Sequence, residues 1–173
     1  KDYWFFAGDT GPLLDAIEEF VTGNIPRHDV DRVLATVMFT DVVGSTDHAR
    51  EMGDRRWSEL LATHDTVVRT ELERFRGRAI KTTGDGFLAT FDGPARAVRC
   101  AAALRDAASE RDLTLRAGLH TGEIELRPAD VTGIAVVIAQ RISDLAAPHE
   151  VLVSRTVVDL TAGSGLQFEP CGE

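Results

Sequence analysis

The sequence predicts an α+β fold, with a mostly antiparallel sheet layered against helices on one face. Three observations predict it. Apolar β-branched runs alternate with helical patterns in the order β-α-β-β-α-β, and further α and β elements follow. Two short apolar runs flank Gly84-Asp85-Gly86, a turn that joins neighbouring antiparallel strands. The chain has 173 residues, 43% hydrophobic and 27% charged, which suits one globular core with a short appendage.

The elements follow in chain order. Residues 1–24 read as a helical tail: Asp9 or Thr10 can cap it and Pro12 suits its first turn. Leu13, Leu14, Ile17, Phe20 and Val21 fall at helical spacing, and Gly23 ends it. A polar linker with Pro26 occupies residues 25–32, and the main domain spans 33–173. Val33 to Phe39 is β-branched and reads as a buried strand. After Gly44-Ser45-Thr46 a helical pattern runs to about Phe75, with a break at Gly53. Ala79–Thr83 and Phe87–Phe91 are strands, and Pro94 opens an Ala-rich helix to about Ser109. Leu113–His120 is a strand that Thr121–Leu126 continues in extended form. Gly133–Ala146 is a helix stopped by Pro148. Val151–Ser154 is a strand and Arg155–Leu160 a short helix.

Charge and cysteine usage narrow the function. A net charge of -9 argues against a general nucleic-acid binder, which presents a basic face. An acidic chain still binds an anionic nucleotide where metal ions and a few basic side chains reverse the local sign. Cys100 and Cys171 follow no metal-ligand spacing and form no disulfide framework, as in a reduced, cytoplasmic protein. No run approaches the ~18 apolar residues of a membrane span. The first residue is not Met, so a piece of a longer chain is expected.

Four stretches concentrate chemistry. In Phe39-Thr40-Asp41-Val42-Val43-Gly44-Ser45-Thr46 a carboxylate ends a buried strand and a glycine turn leads into a helix. Free amides at a helix start suit a phosphate, and an adjacent Asp suits a hard cation. The alternative is a capping turn, with Asp41, Ser45 or Thr46 satisfying backbone donors. In Lys81-Thr82-Thr83-Gly84-Asp85-Gly86, alternation places Lys81 and Asp85 on one face if the pairing is regular. A plain hairpin with a local ion pair is the alternative. Arg116, inside Leu115–Glu123, has the planar fork that grips phosphate, or is an edge-strand arginine. His120 and Glu123 nearby read as structural, because nothing completes a catalytic set around them. Asp130 precedes an apolar helix, in an N-cap region, and Arg141 ends that helix's apolar face, where it meets an anion or the surface.

Taken in order, these four stretches resemble the class III nucleotide cyclases, and within them bacterial domains that follow an α/β-hydrolase domain. The resemblance runs from about Val33 to the C-terminus and rests on Phe-Thr-Asp-Val-Val-Gly-Ser-Thr, Lys-Thr-Thr-Gly-Asp-Gly, Arg-Ala-Gly-Leu-His-Thr-Gly, and Asp130 with Gly133 and Arg141. It implies a ferredoxin-like βαββαβ core with extra C-terminal α/β elements. It implies two Mg²⁺ or Mn²⁺ ions on Asp41, Asp85 and the Val42 carbonyl. The backbone of Val42, Val43, Gly44, Ser45 and Thr46 is expected to cradle the β- and γ-phosphates, with Arg116 on phosphate. Lys81 and Asp130 match the pair that recognises adenine, a donor for N1 and an acceptor for N6, so ATP is favoured over GTP. Arg141 matches the arginine that stabilises charge at the α-phosphate as the ribose 3′-oxygen attacks. Residues 1–24 resemble the last helix of the upstream hydrolase.

The resemblance further implies sites shared between two subunits of a homodimer: metal and phosphate residues from one, the adenine pair and Arg141 from the other. Two departures bear on rate. Many relatives carry Asn one turn before the arginine; here it is Val137, which cannot hydrogen-bond to ribose. The C-terminal hairpin with a phosphate-binding lysine is expected beyond Cys171-Gly172-Glu173. A nucleotide-binding regulatory module with weak catalysis and a guanylate cyclase are the rival readings.

Overall fold

The computed structural model describes Phe20 and residues 32–172. The helical tail expected over residues 1–24 and most of the linker after it lie outside the described residues. The elements are β1 (Arg32–Val42), α1 (Ser45–Met52), α2 (Asp54–Arg74), β2 (Arg78–Thr82), β3 (Phe87–Phe91), α3 (Pro94–Ser109), β4 (Leu115–Arg127), β5 (Asp130–Thr132), α4 (Ile134–Leu145), β6 (Val151–Val153) and α5 (Arg155–Leu160). The helical break falls at Gly53, as the sequence indicates.

The sheet order is β2-β3-β1-β4-β5, with β6 alongside β4. The first four strands therefore take the ferredoxin-like arrangement expected of a βαββαβ core. Every pairing is antiparallel except β4 with β6. The spine is β1 against β4, in unbroken register from Arg32 opposite Glu125 to Val42 opposite Leu115. Inside it Thr36 and Thr121, directly opposed and buried, share a hydrogen bond of 2.8 Å between their hydroxyls.

Alternation along β1 sends successive side chains to two different cores. Met38 and Val42 face Val68 and Leu72 of α2, the apolar side of α3, and Val157 of α5. Val37 and Phe39 face Ala135 and Ala139 of α4. Helices thus cover both faces, which corrects the expectation of one. The reason is legible in β4. A Cβ on Gly118 would lie 2.1 Å from the Ser143 amide, and one on Gly122 would lie 2.9 Å from the Ala135 Cβ. Bare glycine backbone lets α4 lie down on the second face.

The second correction concerns β5. Asp130 was expected before a helix, but it opens a strand that pairs with the end of β4, and Gly133 is the residue before α4. The sheet is rolled so that its two edge strands, β2 and β5, come together. Ile80, Leu88, Leu126 and Val131 share one apolar cluster there.

Cys100 is buried in the first core, where desolvation pushes its thiol up to about 12 and keeps it protonated. Cys171 is exposed, and both are free thiols. No helix among the described residues is long and apolar enough to cross a membrane.

His64 on α2 is 1% exposed, and its Nε2 has no hydrogen-bond partner. Burial lowers its pKa, Asp65 and Asp85 oppose that, and Arg111 reinforces it. The folded chain therefore resists a proton that the unfolded chain accepts near the ordinary value of 6.5. Stability is expected to fall as pH drops below that value, by up to about 1.4 kcal/mol per pH unit from this group. Urea unfolding across pH 5–8 checks it, and His64→Leu should flatten the wild-type slope. Parallel slopes in the two proteins would assign the acid sensitivity elsewhere.

Candidate active site

The end of β1 gathers the first polar set. Asp41 stands directly opposite Arg116 across the β1–β4 ladder. Arg116 donates to the same carboxylate oxygen, Asp41 Oδ2, from Nη2 at 2.6 Å and from Nε at 2.9 Å. Its remaining nitrogen, Nη1, donates to the Asp144 carbonyl at 3.3 Å, in the last turn of α4. A cation at a helix C-terminus is favourably placed. Both partners are about one-third exposed, so the pair is accessible from solvent.

The β2–β3 hairpin brings Asp85 to the same end of the sheet. Thr40 of β1 pairs with Phe87 of β3, and the Phe87 amide donates to Thr40 Oγ1 at 3.1 Å. The turn closes with the Thr83 amide on the Gly86 carbonyl at 2.9 Å. A Cβ on Gly86 would lie 2.0 Å from the Thr40 carbonyl oxygen. Only glycine permits that approach, and it seats the half-buried Asp85 beside the strand end that carries Asp41. The sequence expectation that Lys81 and Asp85 share a strand face is corrected. The β2 register shifts between Ala79 and Lys81, β2 ends at Thr82, and Asp85 lies in the turn.

The turn after β1 is no side-chain cap. Gly44 precedes α1 in the left-handed conformation, and no side chain bonds to the helix start. The Val43 amide donates to the Thr114 carbonyl at 2.8 Å, which extends the β1–β4 ladder by one bond. Val43 therefore drops out of the expected anion cradle, and the amides of Gly44, Ser45 and Thr46 remain for it. Val42, the last residue of β1, is buried in the first core.

The donor chemistry here fits hard divalent cations. Two carboxylates and a backbone carbonyl are all oxygen ligands. Among the described residues no three His, Cys, Asp or Glu side chains converge into a complete metal cage.

A second polar set forms where β5 meets β2. Lys81 Nζ lies 2.6 Å from Asp130 Oδ2. Asp130 Oδ1 accepts from the Val131 amide at 2.8 Å. The Lys81 hydrogen bond, then that of Val131, holds the Asp130 carboxyl below its ordinary range, so it is an acceptor at neutral pH. One donor and one acceptor are thus held side by side, half-exposed, and Asp130 lines a cavity together with Arg78, Ile80, Leu126 and Arg127.

Arg141 is exposed on α4, one turn beyond Val137, which is 45% exposed. Among the described residues no hydrogen bond or ion pair links Arg141, or the Lys81–Asp130 pair, to Asp41, Asp85 or Arg116. His120 shares a hydrogen bond of 2.8 Å with Ser154 at the start of α5, which agrees with its structural reading. Two participants escaped the sequence. The Asp144 carbonyl carries no side-chain signal. Thr40 is a buried hydroxyl in a strand, and only its burial marks it.

The model of the adenylate and guanylate cyclase catalytic domain family matches residues 27–173. An adenylate cyclase of Streptomyces coelicolor is 35% identical over 126 residues, 72% of this chain and 33% of that protein. A serine/threonine-protein kinase of Myxococcus xanthus is 28% identical over 145 residues, 79% of this chain and 18% of that protein. The chain thus spans a third or less of the length of these two relatives. The solved structure of an adenylate/guanylate cyclase/hydrolase from Silicibacter pomeroyi matches with a TM-score of 0.66 at 28% identity, over 75% of this chain and 80% of that one. The adenylyl cyclase CyaB from P. aeruginosa shares the fold, with a TM-score of 0.72 at 22% identity, over 75% and 81%.

Gly86→Ala tests the seating of the Asp85 turn. The added methyl must push the hairpin off the Thr40 carbonyl, at an expected cost of about 1–3 kcal/mol in urea unfolding. An unchanged unfolding midpoint would show that the turn is not anchored on β1.

Proposed function

The chain belongs to the adenylate and guanylate cyclase catalytic domain family, and we propose that within it this chain is an adenylate cyclase. It converts ATP to 3′,5′-cyclic AMP and pyrophosphate. The observation that carries this reading is the Lys81–Asp130 pair, a fixed donor and acceptor side by side at 2.6 Å. Adenine offers an acceptor at N1 and a donor at N6, which that pair complements. Guanine offers the reverse, an acceptor at O6 and a donor at N1, so in the same orientation it would leave both groups mispaired.

The reaction joins the ribose 3′-oxygen to the α-phosphorus and breaks the bond from that phosphorus to the bridging oxygen, which leaves with pyrophosphate. Asp41, Asp85 and the Val42 carbonyl would hold two Mg²⁺ or Mn²⁺ ions. Bound there, such ions supply charge for the phosphates and acidity for the 3′-hydroxyl. The amides of Gly44, Ser45 and Thr46 receive phosphate oxygens at the start of α1, and Arg116 adds a forked cation. Arg141 stabilises the charge that develops at the α-phosphate. No covalent intermediate is needed, because positioning and electrostatics carry the step.

Within one chain the two polar sets are unconnected among the described residues. The reading therefore completes each site across a homodimer, with Asp41, Asp85 and Arg116 from one copy and Lys81, Asp130 and Arg141 from the other. The tail over residues 1–24 and linker over 25–31 would join this domain, whose β1 begins at Arg32, to an upstream α/β-hydrolase-type domain. Val137 favours one second reading, a nucleotide-binding module with weak turnover. Its apolar side chain sits on the exposed side of α4, one turn before Arg141, and offers ribose no hydrogen bond.

The test incubates the protein with ATP or GTP and Mn²⁺ and measures both cyclic products. Cyclic AMP should exceed cyclic GMP. Arg141→Ala should lower kcat by roughly 10²–10³-fold. Asp85→Ala should abolish product above background. Mixing these two inactive proteins should restore about a quarter of wild-type activity, since half of the dimers then hold one intact site of two. More cyclic GMP than cyclic AMP overturns the roles of Lys81 and Asp130. Nucleotide binding without product supports the module instead.

A further inference from the structure

The Arg116 fork has a consequence for metal binding. Asp41 is the carboxylate that the proposed function gives to a divalent cation, and its Oδ2 accepts two guanidinium bonds, at 2.6 and 2.9 Å. A metal ion and a guanidinium compete for the same oxygen, and their positive charges repel at that distance. We propose that Arg116 is an internal counter-ion that latches Asp41, and that metal binding releases it toward the nucleotide's phosphates. This inference rests on the metal reading of Asp41 given above.

Three features support a latch. The first is register: Asp41 and Arg116 are directly opposed in the longest ladder of the sheet, so the pair forms without any loop closing. The second is that Arg116 is held only weakly apart from Asp41. Its Nη1 reaches the Asp144 carbonyl at 3.3 Å, a long bond that a small rotation of the side chain breaks. The third is exposure. Asp41 and Arg116 are 34% and 29% exposed, so water and ions reach the pair and the exchange needs no unfolding. A fully buried pair would be too costly to separate.

The latch also joins two elements. The guanidinium bridges the end of β1 to the last turn of α4, and Arg141 lies on α4 one turn before Asp144. Freeing Arg116 thus removes a tether from the helix that offers Arg141 to the neighbouring site. One residue would then serve two states: partner of Asp41 in the metal-free chain, and partner of phosphate once metal and nucleotide are in place.

The experiment titrates Mn²⁺ alone into the protein, reading free Mn²⁺ by electron paramagnetic resonance, and separately measures Mn²⁺–ATP affinity by calorimetry. The set is wild type, Arg116→Gln, Arg116→Lys and Asp41→Asn, each checked for fold by circular dichroism. Arg116→Gln should bind Mn²⁺ alone roughly fivefold more tightly, the scale of a partly exposed ion pair. It should bind Mn²⁺–ATP more weakly, so the two affinities move in opposite directions. Arg116→Lys keeps the charge but loses the fork, and it too should bind Mn²⁺ alone more tightly than wild type. Asp41→Asn should bind Mn²⁺ more weakly. If Asp41→Asn weakens Mn²⁺ binding while neither Arg116 variant strengthens it, the latch is wrong and the metal site stands. Tightening in Arg116→Gln alone also overturns the latch, because charge removal then explains it. If Asp41→Asn leaves Mn²⁺ binding unchanged, the metal site itself fails and the latch with it.

Discussion

The register of β1 against β4 is the constraint on which the rest of the molecule depends. It runs unbroken from Arg32 opposite Glu125 to Val42 opposite Leu115, and a slip by one residue would send every side chain to the wrong core. With that register, Met38 and Leu119 meet the helices of the first face, and Val37 and Phe39 meet α4 on the second. The same register sets Asp41 opposite Arg116 at the sheet's end, where the β2–β3 hairpin arrives through the pairing of Thr40 with Phe87. The polar chemistry therefore sits at the end of the longest ladder of the sheet, on regular elements that hold side chains in place better than loops do.

The second polar set depends on shape rather than register. Lys81 and Asp130 are 49 residues apart and lie on the two edge strands of the path β2-β3-β1-β4-β5. They touch because the sheet is rolled, and Ile80, Leu88, Leu126 and Val131 hold the roll closed. The ion pair itself is half-exposed and contributes little to stability. On the proposed reading its value would lie in holding a donor and an acceptor in one orientation before any base arrives, which lowers the ordering cost of recognition.

Several elements were legible because local patterns were strong. The helix Pro94–Ser109, the break at Gly53 and the hairpin around Gly84-Asp85-Gly86 follow from proline, glycine and periodicity alone. The motifs around Asp41, Lys81, Arg116, Asp130 and Arg141 were visible as polar residues interrupting apolar runs. What misled was anything set by a distant partner. Asp130 read as a helix-start residue, because a three-residue strand carries too little pattern to announce itself. Lys81 read as a companion of Asp85, because the bulge in β2 that redirects it leaves no mark in composition. Val43 read as part of an anion cradle, although its amide is taken by Thr114 from another strand.

The sequence by itself determined the class of fold, the family and the inventory of charged and glycine residues that a nucleotide site needs. The fold class follows from side-chain period, the family from a resemblance carried by four motifs in order, and the inventory from residue types that are hard to explain as core. Only the tertiary structure decided the contacts: Asp41 with Arg116, the direct ion pair between Lys81 and Asp130 that the resemblance names together, and α4 with bare backbone at Gly118. The reason is physical. Hydrophobic pattern specifies which face of each strand is buried, but pairing between charges depends on register, bulges and sheet roll. Those arise from contacts summed over the whole chain.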